Sequence, residues 1–365
     1  MKIVIFSNIP SPYFVEYLNE LGKMADVYAV FERKKASDRD SSWEIVNANN
    51  FKYSFLKGIK VGAEASFSFG IKKIIKNSIN SIIIFANPTT PTGIIGINYC
   101  KRKGIKYCLQ SEGGIPKNGK GFKEIFKKKL ISGASLYLTG MKPETDYFGF
   151  YGAPISKIRQ YPFASLHEKD LLTKPISIEE KNKIKESLKI NFEKIVLYVG
   201  RMIECKGVDV LLESFDKQPQ NVALFCVGGE PTPEYLDIIE KCQNKNIFFI
   251  KHTDLENLKK YYLAADVLVL PTRGDTWGLV INEAMSYGLP VITTNMCVAG
   301  NQLIENGING YIVQADSPKE IEKSINAILN NNDISMFRER NIKKISSYTY
   351  ENMAKMIFNY LREIF

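Results

Sequence analysis

The stretch ADVLVLPTRGDTWGLVINEAMSYGLPVITT, residues 265–294, decides how this chain folds. Its two ends, ADVLVLP and PVITT, are short apolar runs rich in β-branched residues, the signature of buried strands. Between them lie a glycine-containing loop, a helical pattern opened by Gly278, Leu279 and Val280, and a stop at Gly288 and Pro290. Glycine takes the left-handed turn that ends a helix, and proline cannot continue one. The unit is therefore strand–helix–strand. In a parallel sheet its loop falls at the carboxyl edge, where ligands bind. The free N–H groups of Leu279 and Val280, with the helix dipole, form an anion site. Glu283 follows Leu279 by four residues and so projects from the same face one turn later. A carboxylate there can accept from hydroxyls beyond a bound phosphate, and Asp275, ahead of the helix, from hydroxyls on the far side. The plainer alternative is that both acids only favour the helix dipole.

A second stretch, VLYVGRMIECKGVDVLLESF (residues 196–215), repeats the scheme. Gly200 ends a strand and lets backbone approach a ligand closely. Arg201 and Lys206 flank the turn and can converge on a diphosphate through charge-assisted hydrogen bonds. Taken alone, this element also reads as a solvated basic turn.

Outward from these stretches, strands and helices alternate through both halves of the chain, which predicts α/β doubly wound parallel sheets. In the first half the strands are KIVIFS, DVYAVF, SIIIFA, KYCLQS and LYLTG; YFVEYLNELGKM and GIIGINYCKRKG are helices. Residues 166–180 lose periodicity and read as a linker. The boundaries are 1–170 for an N-terminal domain and 171–350 for a C-terminal one. Residues 351–365 form a helix whose stripe of Met353, Met356, Ile357, Tyr360 and Leu361 is expected to cross back to the N-terminal domain.

At 365 residues, 45% hydrophobic and 24% charged, the chain is sized for two globular domains. The N-terminal apolar run is too short for a signal peptide, and no stretch is long enough to span a bilayer. Six scattered cysteines without a Cys-x-x-Cys pair suggest reduced thiols, not disulfides or a metal site, and a cytoplasmic protein. The net charge of +10 is lopsided: residues 1–170 hold 26 Lys+Arg against 14 Asp+Glu, the remainder 23 against 25. An anionic partner is therefore expected on the first half. Residues 117–130 (KNGKGFKEIFKKKL) interleave lysines with Phe122, Ile125, Phe126 and Leu130, and IKKIIK (residues 71–76) adds a second basic-apolar stretch. Such a pattern suits an anionic membrane face, or simply a solvated lysine-rich one. No nucleic-acid module accompanies it.

The two phosphate elements, in this order, resemble the retaining glycosyltransferases of family 4, the group 1 enzymes of surface polysaccharide assembly. Val199-Gly200-Arg201 and Lys206-Gly207 match that family's V-G-R and K-G; DTWGLVINEAMSYGLPV matches its Glu-x7-Glu segment, and GNQLIENGINGYIV echoes its downstream pattern. The resemblance implies a GT-B fold: two doubly wound Rossmann-like domains facing a cleft. It implies that Gly200, Arg201 and Lys206 hold the diphosphate of a nucleoside-diphosphate sugar, UDP ahead of GDP. Residues Thr276, Trp277, Gly278, Leu279 and Val280 line the donor, Glu283 binds the ribose, and Asp275 touches the transferred sugar. No metal or other cofactor is required. The acceptor is a glycan, lipid-linked if the basic half meets a membrane, with the protein peripheral on its inner face.

Three departures stand out. The first acid is Asp275, not Glu. The loop after the first strand is SNIPSPY, without glycine, so Ser11, Pro12 and Tyr13 line the acceptor side. The family's first-half histidine is missing, His167 and His252 lying elsewhere; Glu112, at the end of KYCLQSE, is the candidate catalytic carboxylate, against a plain surface acid. The same fold serves nucleotide-sugar epimerases and catalytically silent binding proteins, which remain alternatives to transfer.

Overall fold

The computed structural model describes residues 1–35, 47–111, 121–251 and 253–365. Two compact units divide the chain: residues 1–164 with 348–365, and residues 165–347.

Unit 1 runs β1 (Lys2–Ser7), α1 (Pro12–Gly22), β2 (Asp26–Phe31), β3 (Lys52–Phe55), β4 (Ile59–Val61), β5 (Ala65–Phe67), α2 (Gly70–Asn77), β6 (Ile82–Phe85), α3 (Pro91–Lys103), β7 (Tyr107–Ser111), α4 (Phe122–Ile131), β8 (Leu136–Thr139), α5 (Lys142–Phe150) and β9 (Ile158–Gln160). Its main sheet has the order β3-β2-β1-β6-β7-β8-β9, every pair parallel. Central strands are apolar on both faces because helices cover both, as Ile3, Ile5, Ile83 and Ile84 show by their complete burial. The β4–β5 hairpin stands apart as a two-stranded antiparallel ribbon. Its strands, like β3 and β9, escape a reading for apolar runs because they are short and largely exposed.

Unit 2 runs α6 (Ile178–Ser187), β10 (Lys194–Val199), α7 (Val208–Phe215), β11 (Val222–Val227), α8 (Pro233–Lys241), β12 (Ile247–Ile250), α9 (Leu255–Ala264), β13 (Val267–Leu270), α10 (Leu279–Ser286), β14 (Val291–Thr294), α11 (Val298–Leu303), β15 (Gly310–Val313), α12 (Pro318–Leu329) and α13 (Ile334–Ile345). The sheet order is β12-β11-β10-β13-β14-β15, again all parallel. The order reverses between β10 and β13. Such a reversal opens a crevice at the carboxyl ends of two adjacent strands.

The segment 166–180 contains a 3-10 turn at Glu168–Asp170 and the start of α6, which Ser177 and Glu180 open with a reciprocal capping box. The last helix, α14 (Tyr350–Ile364), belongs to unit 1 and packs on α1. Met353, Ala354, Ile357 and Leu361 are its buried stripe. The six cysteines are unpaired; Cys205 alone of them is exposed. Burial pushes the Cys100 thiol up to about 12, so it stays protonated and inert. Among the described residues, no helix is long and apolar enough to cross a membrane.

Candidate functional site

The loops of the two sequence stretches, after β10 and after β13, meet at the β10/β13 reversal. The turn after β10 and the turn after β13 are tied together by backbone and side chain. The Cys205 carbonyl accepts from Arg273 N at 2.8 Å and Thr272 Oγ1 at 2.9 Å. The Glu204 carbonyl accepts from the Arg273 guanidinium at 2.6 Å. A fork of Arg273 nitrogens also grips Asp209 at 2.5 and 3.0 Å, and its Nε reaches Asp316 at 2.6 Å. These carboxylates hold the guanidinium firmly protonated. Arg273 lies inside the opening stretch yet carries no motif signal, because its partners lie 43 to 69 residues away.

Gly207 is required at this junction. Its φ is +67°, and a Cβ there would sit 2.1 Å from the Pro271 carbonyl oxygen. With Gly207 and Gly278 at their N-caps, α7 and α10 have no side-chain cap. Gly278 has φ +97°, and a Cβ would meet the Cys297 sulfur at 2.8 Å. No side chain of the N-cap therefore competes for the N–H groups of Leu279 and Val280.

Lys206 ends a 3-10 turn, and its Nζ lies 2.5 Å from Asp275 Oδ2. The Asp275 backbone N–H donates to Met296 O at 3.1 Å, fixing the acid's place beside the lysine. Arg201 is exposed, its turn held by the Tyr198 hydroxyl donating to Arg201 O at 2.8 Å. Thr276 is exposed, whereas Trp277 is buried and donates from Nε1 to Asn282 Oδ1 at 2.9 Å. Trp277 thus serves as a wall and anchor of the loop.

On α10, Ile281, Asn282, Ala284, Met285 and Ser286 are buried, leaving Leu279, Val280 and Glu283 half-buried on the opposite face. The Tyr262 hydroxyl donates to Glu283 Oε2 at 2.7 Å. Burial raises the Glu283 carboxyl pKa, and the tyrosine bond partly offsets this. The structure brings Lys206 and Asp275 into contact; Glu283 has Tyr262 as partner, a residue the sequence alone gave no reason to single out.

In unit 1 the turn after β1 is held from β6's end: Ser7 Oγ and Asn8 N both donate to Asn87 Oδ1, at 3.0 and 3.1 Å. Ser11 is buried, so the exposed Pro12 and half-buried Tyr13 are what this turn offers a ligand. Tyr13 meets Phe163 edge-on at 5.7 Å. Glu112, residues 117–120 and His252 lie outside the described residues.

Comparison with known proteins bears on this geometry. Residues 179–346 match the family model for glycosyl transferases group 1. The matched group 1 segment lies wholly within unit 2 and contains both switch-point loops. A glycosyltransferase of Methanocaldococcus jannaschii is 29% identical over 192 residues, covering 50% of this chain and 49% of that protein. The capsular polysaccharide biosynthesis glycosyltransferase CapM of Staphylococcus aureus is 30% identical over 198 residues, 50% of this chain and 51% of CapM. The chain thus spans about half the length of the curated relatives it matches. HepE from Anabaena, solved in complex with UDP, superposes with a TM-score of 0.78 over 100% of both chains at 16% identity. The fold is GT-B.

Proposed function

We propose that the protein is a retaining glycosyltransferase that moves a sugar from a nucleoside-diphosphate sugar to a lipid-linked glycan in surface polysaccharide assembly. The observation that carries this reading is the Lys206–Asp275 pair at the β10/β13 reversal, beside a helix whose first N–H groups no side chain caps. Lys206, exposed Arg201 and the Leu279 and Val280 amides supply positive potential where a diphosphate leaves. Asp275 holds Lys206 in place before donor arrives and then meets the sugar hydroxyls. Glu283 takes the ribose hydroxyls. The leaving phosphate accepts the acceptor's proton in a front-face substitution, so the anomeric configuration is kept. HepE's UDP and CapM's capsular role support a UDP-sugar and a polysaccharide acceptor.

The membrane part of the reading rests on α4. Phe122, Ile125 and Phe126 are 92, 66 and 48% exposed and lie on one face at helical spacing. Lys123, Lys128 and Lys129 are exposed on the same helix. Aromatic rings with flanking lysines suit reversible docking on an anionic bilayer, each lysine adding at most about 1 kcal/mol.

Purified protein incubated with UDP- or GDP-sugars should release nucleoside diphosphate only when a glycan acceptor is added, and NMR should show retained configuration in the product. UDP should raise the melting temperature, by an amount that grows with the logarithm of its concentration once that exceeds the dissociation constant. Acceptor-independent conversion of the donor would instead mark an epimerase. Sedimentation with anionic but not neutral vesicles, lost on changing Lys127, Lys128 and Lys129 to Glu, tests the membrane part separately.

A further inference from the structure

Unit 1 contains a cavity of about 730 Å³ that the donor site does not use. It lies at the carboxyl ends of β2 and β3, where the chain continues as Glu32–Lys35 and Leu56–Lys60. The carboxyl edge of a parallel sheet is where ligands bind in this class of fold. Arg33, Lys34, Lys35, Lys57 and Lys60 line it, and among the described residues of its lining Glu32 is the one acid.

Glu32 does not act as the counter-charge. It is buried, and both its oxygens are taken: Oε2 accepts from Ser66 N at 2.7 Å and Oε1 from Thr90 Oγ1 at 2.5 Å. Desolvation raises its pKa, which further weakens it as a partner for cations. Its bonds instead fix the wall. Thr92 Oγ1 donates to Ser66 O at 2.6 Å and accepts from Ser68 N at 3.1 Å, so the β4–β5 hairpin is pinned to the start of α3. Arg33 donates to the carbonyls of Gly62 and Ala63 and holds the hairpin's tip.

The hairpin has two chemically different faces. Lys60 pairs across the ribbon with Ser66, and both line the cavity. Ile59 pairs with Phe67, and side chains alternate along a strand, so these two and Val61 face the other way. All three are exposed, as is Phe69 just beyond, which packs edge-on against Phe67 at 5.0 Å. A preformed cationic cavity thus sits behind an apolar outer face.

We propose that this cavity binds a phosphate-bearing ligand, its anionic group held by Arg33, Lys34, Lys57 and Lys60. Clustered cations around a concave site attract an anion of matching charge and repel one another without it. That the ligand is the acceptor, carried by a lipid whose chain lies along Ile59, Val61, Phe67 and Phe69, rests on the transferase reading. The binding site itself does not.

The test uses inorganic pyrophosphate and calorimetry on full-length protein carrying Arg201→Ala and Lys206→Ala, which disables the proposed donor site. Pyrophosphate should still bind, more weakly as salt rises. Adding Lys57→Glu and Lys60→Glu should lower that affinity at least 10-fold with an unchanged melting temperature, whereas Lys103→Glu with Lys157→Glu, exposed elsewhere on unit 1, should not. A short-chain alkyl diphosphate that binds more tightly than pyrophosphate, with the gain lost in Phe67→Ser, assigns the ligand to a lipid; equal affinities assign it to a soluble phosphorylated compound. No binding in the donor-site variant, or equal losses from the two lysine pairs, would overturn the proposal. Failure of sugar transfer would leave this binding intact, so the two readings fail separately.

Discussion

Strand β13 has a lysine–aspartate pair at each end. At its start, Lys181 pairs with Asp266, side chains 10 and 14% exposed; just past its other end, Lys206 pairs with Asp275, 15 and 18% exposed. Burial barely distinguishes them, but their surroundings do. Lys181 also donates to Ala265 O at 3.0 Å, Asp266 Oδ2 accepts from Ile195 N at 2.8 Å, and Arg338 lies 3.8 Å from the same carboxylate. Both oxygens of Asp266 are spoken for, and the pair locks α6 and α13 to the sheet. Asp275 keeps Oδ1 nearly free, its remaining contact a 3.4 Å approach from Trp277 N. Arg201, on the turn after β10, is exposed. One pair is closed by the protein itself, and the other has hydrogen-bonding capacity left for a ligand. A buried ion pair is weak evidence of function until its spare valences are counted.

The largest expected effect breaks the closed pair. Asp266→Ala leaves Lys181 and Arg338 buried without their acid and should cost about 3–5 kcal/mol of stability, read by urea unfolding. The open pair should respond in the opposite currency. Arg201→Ala and Lys206→Ala should each lower turnover roughly 10²-fold, as for loss of a group that stabilises transition-state charge, while the melting temperature holds. Equal stability losses in the Asp266 and Lys206 variants would erase the distinction between the two ends of β13.

Glu283 sharpens it further. Glu283→Ala should weaken donor binding by about 1.5–3 kcal/mol through lost charged hydrogen bonds, measured by titration with UDP-sugar. Its smaller effect is on pH dependence. The folded-state pKa is raised, so stability linked to this carboxyl is present below its unfolded value and is lost as pH rises through the folded one. Glu283→Gln removes that loss and should gain on wild type in melting temperature as pH rises above the ordinary carboxylate range. A flat difference would show that the carboxylate is better solvated than its place against Tyr262 implies.

Much of unit 2's site was legible because its demands are local. Gly200, Gly207 and Gly278 mark backbone that must turn or approach closely, and charges at fixed offsets from them mark which side chains these turns carry. Arg273 was not legible, since its ties to Glu204, Asp209 and Asp316 depend on which loops the sheet order makes neighbours. The cationic cavity of unit 1 was hidden for the same reason. The lopsided charge was visible, but Arg33 and Lys57 converge only because β2 and β3 pair in parallel. Strands of three or four residues with exposed side chains carry too little periodicity to reveal that pairing.

The placement of α14 has a consequence for synthesis. Unit 2 is complete in sequence once Ser347 has been made, whereas unit 1 must wait for residues 350–364 to cover α1. On the ribosome, then, the first half to be translated is the second to be finished. The apolar face of α1 stays uncovered while the intervening 183 residues of unit 2 emerge, a window in which chaperones would meet it first.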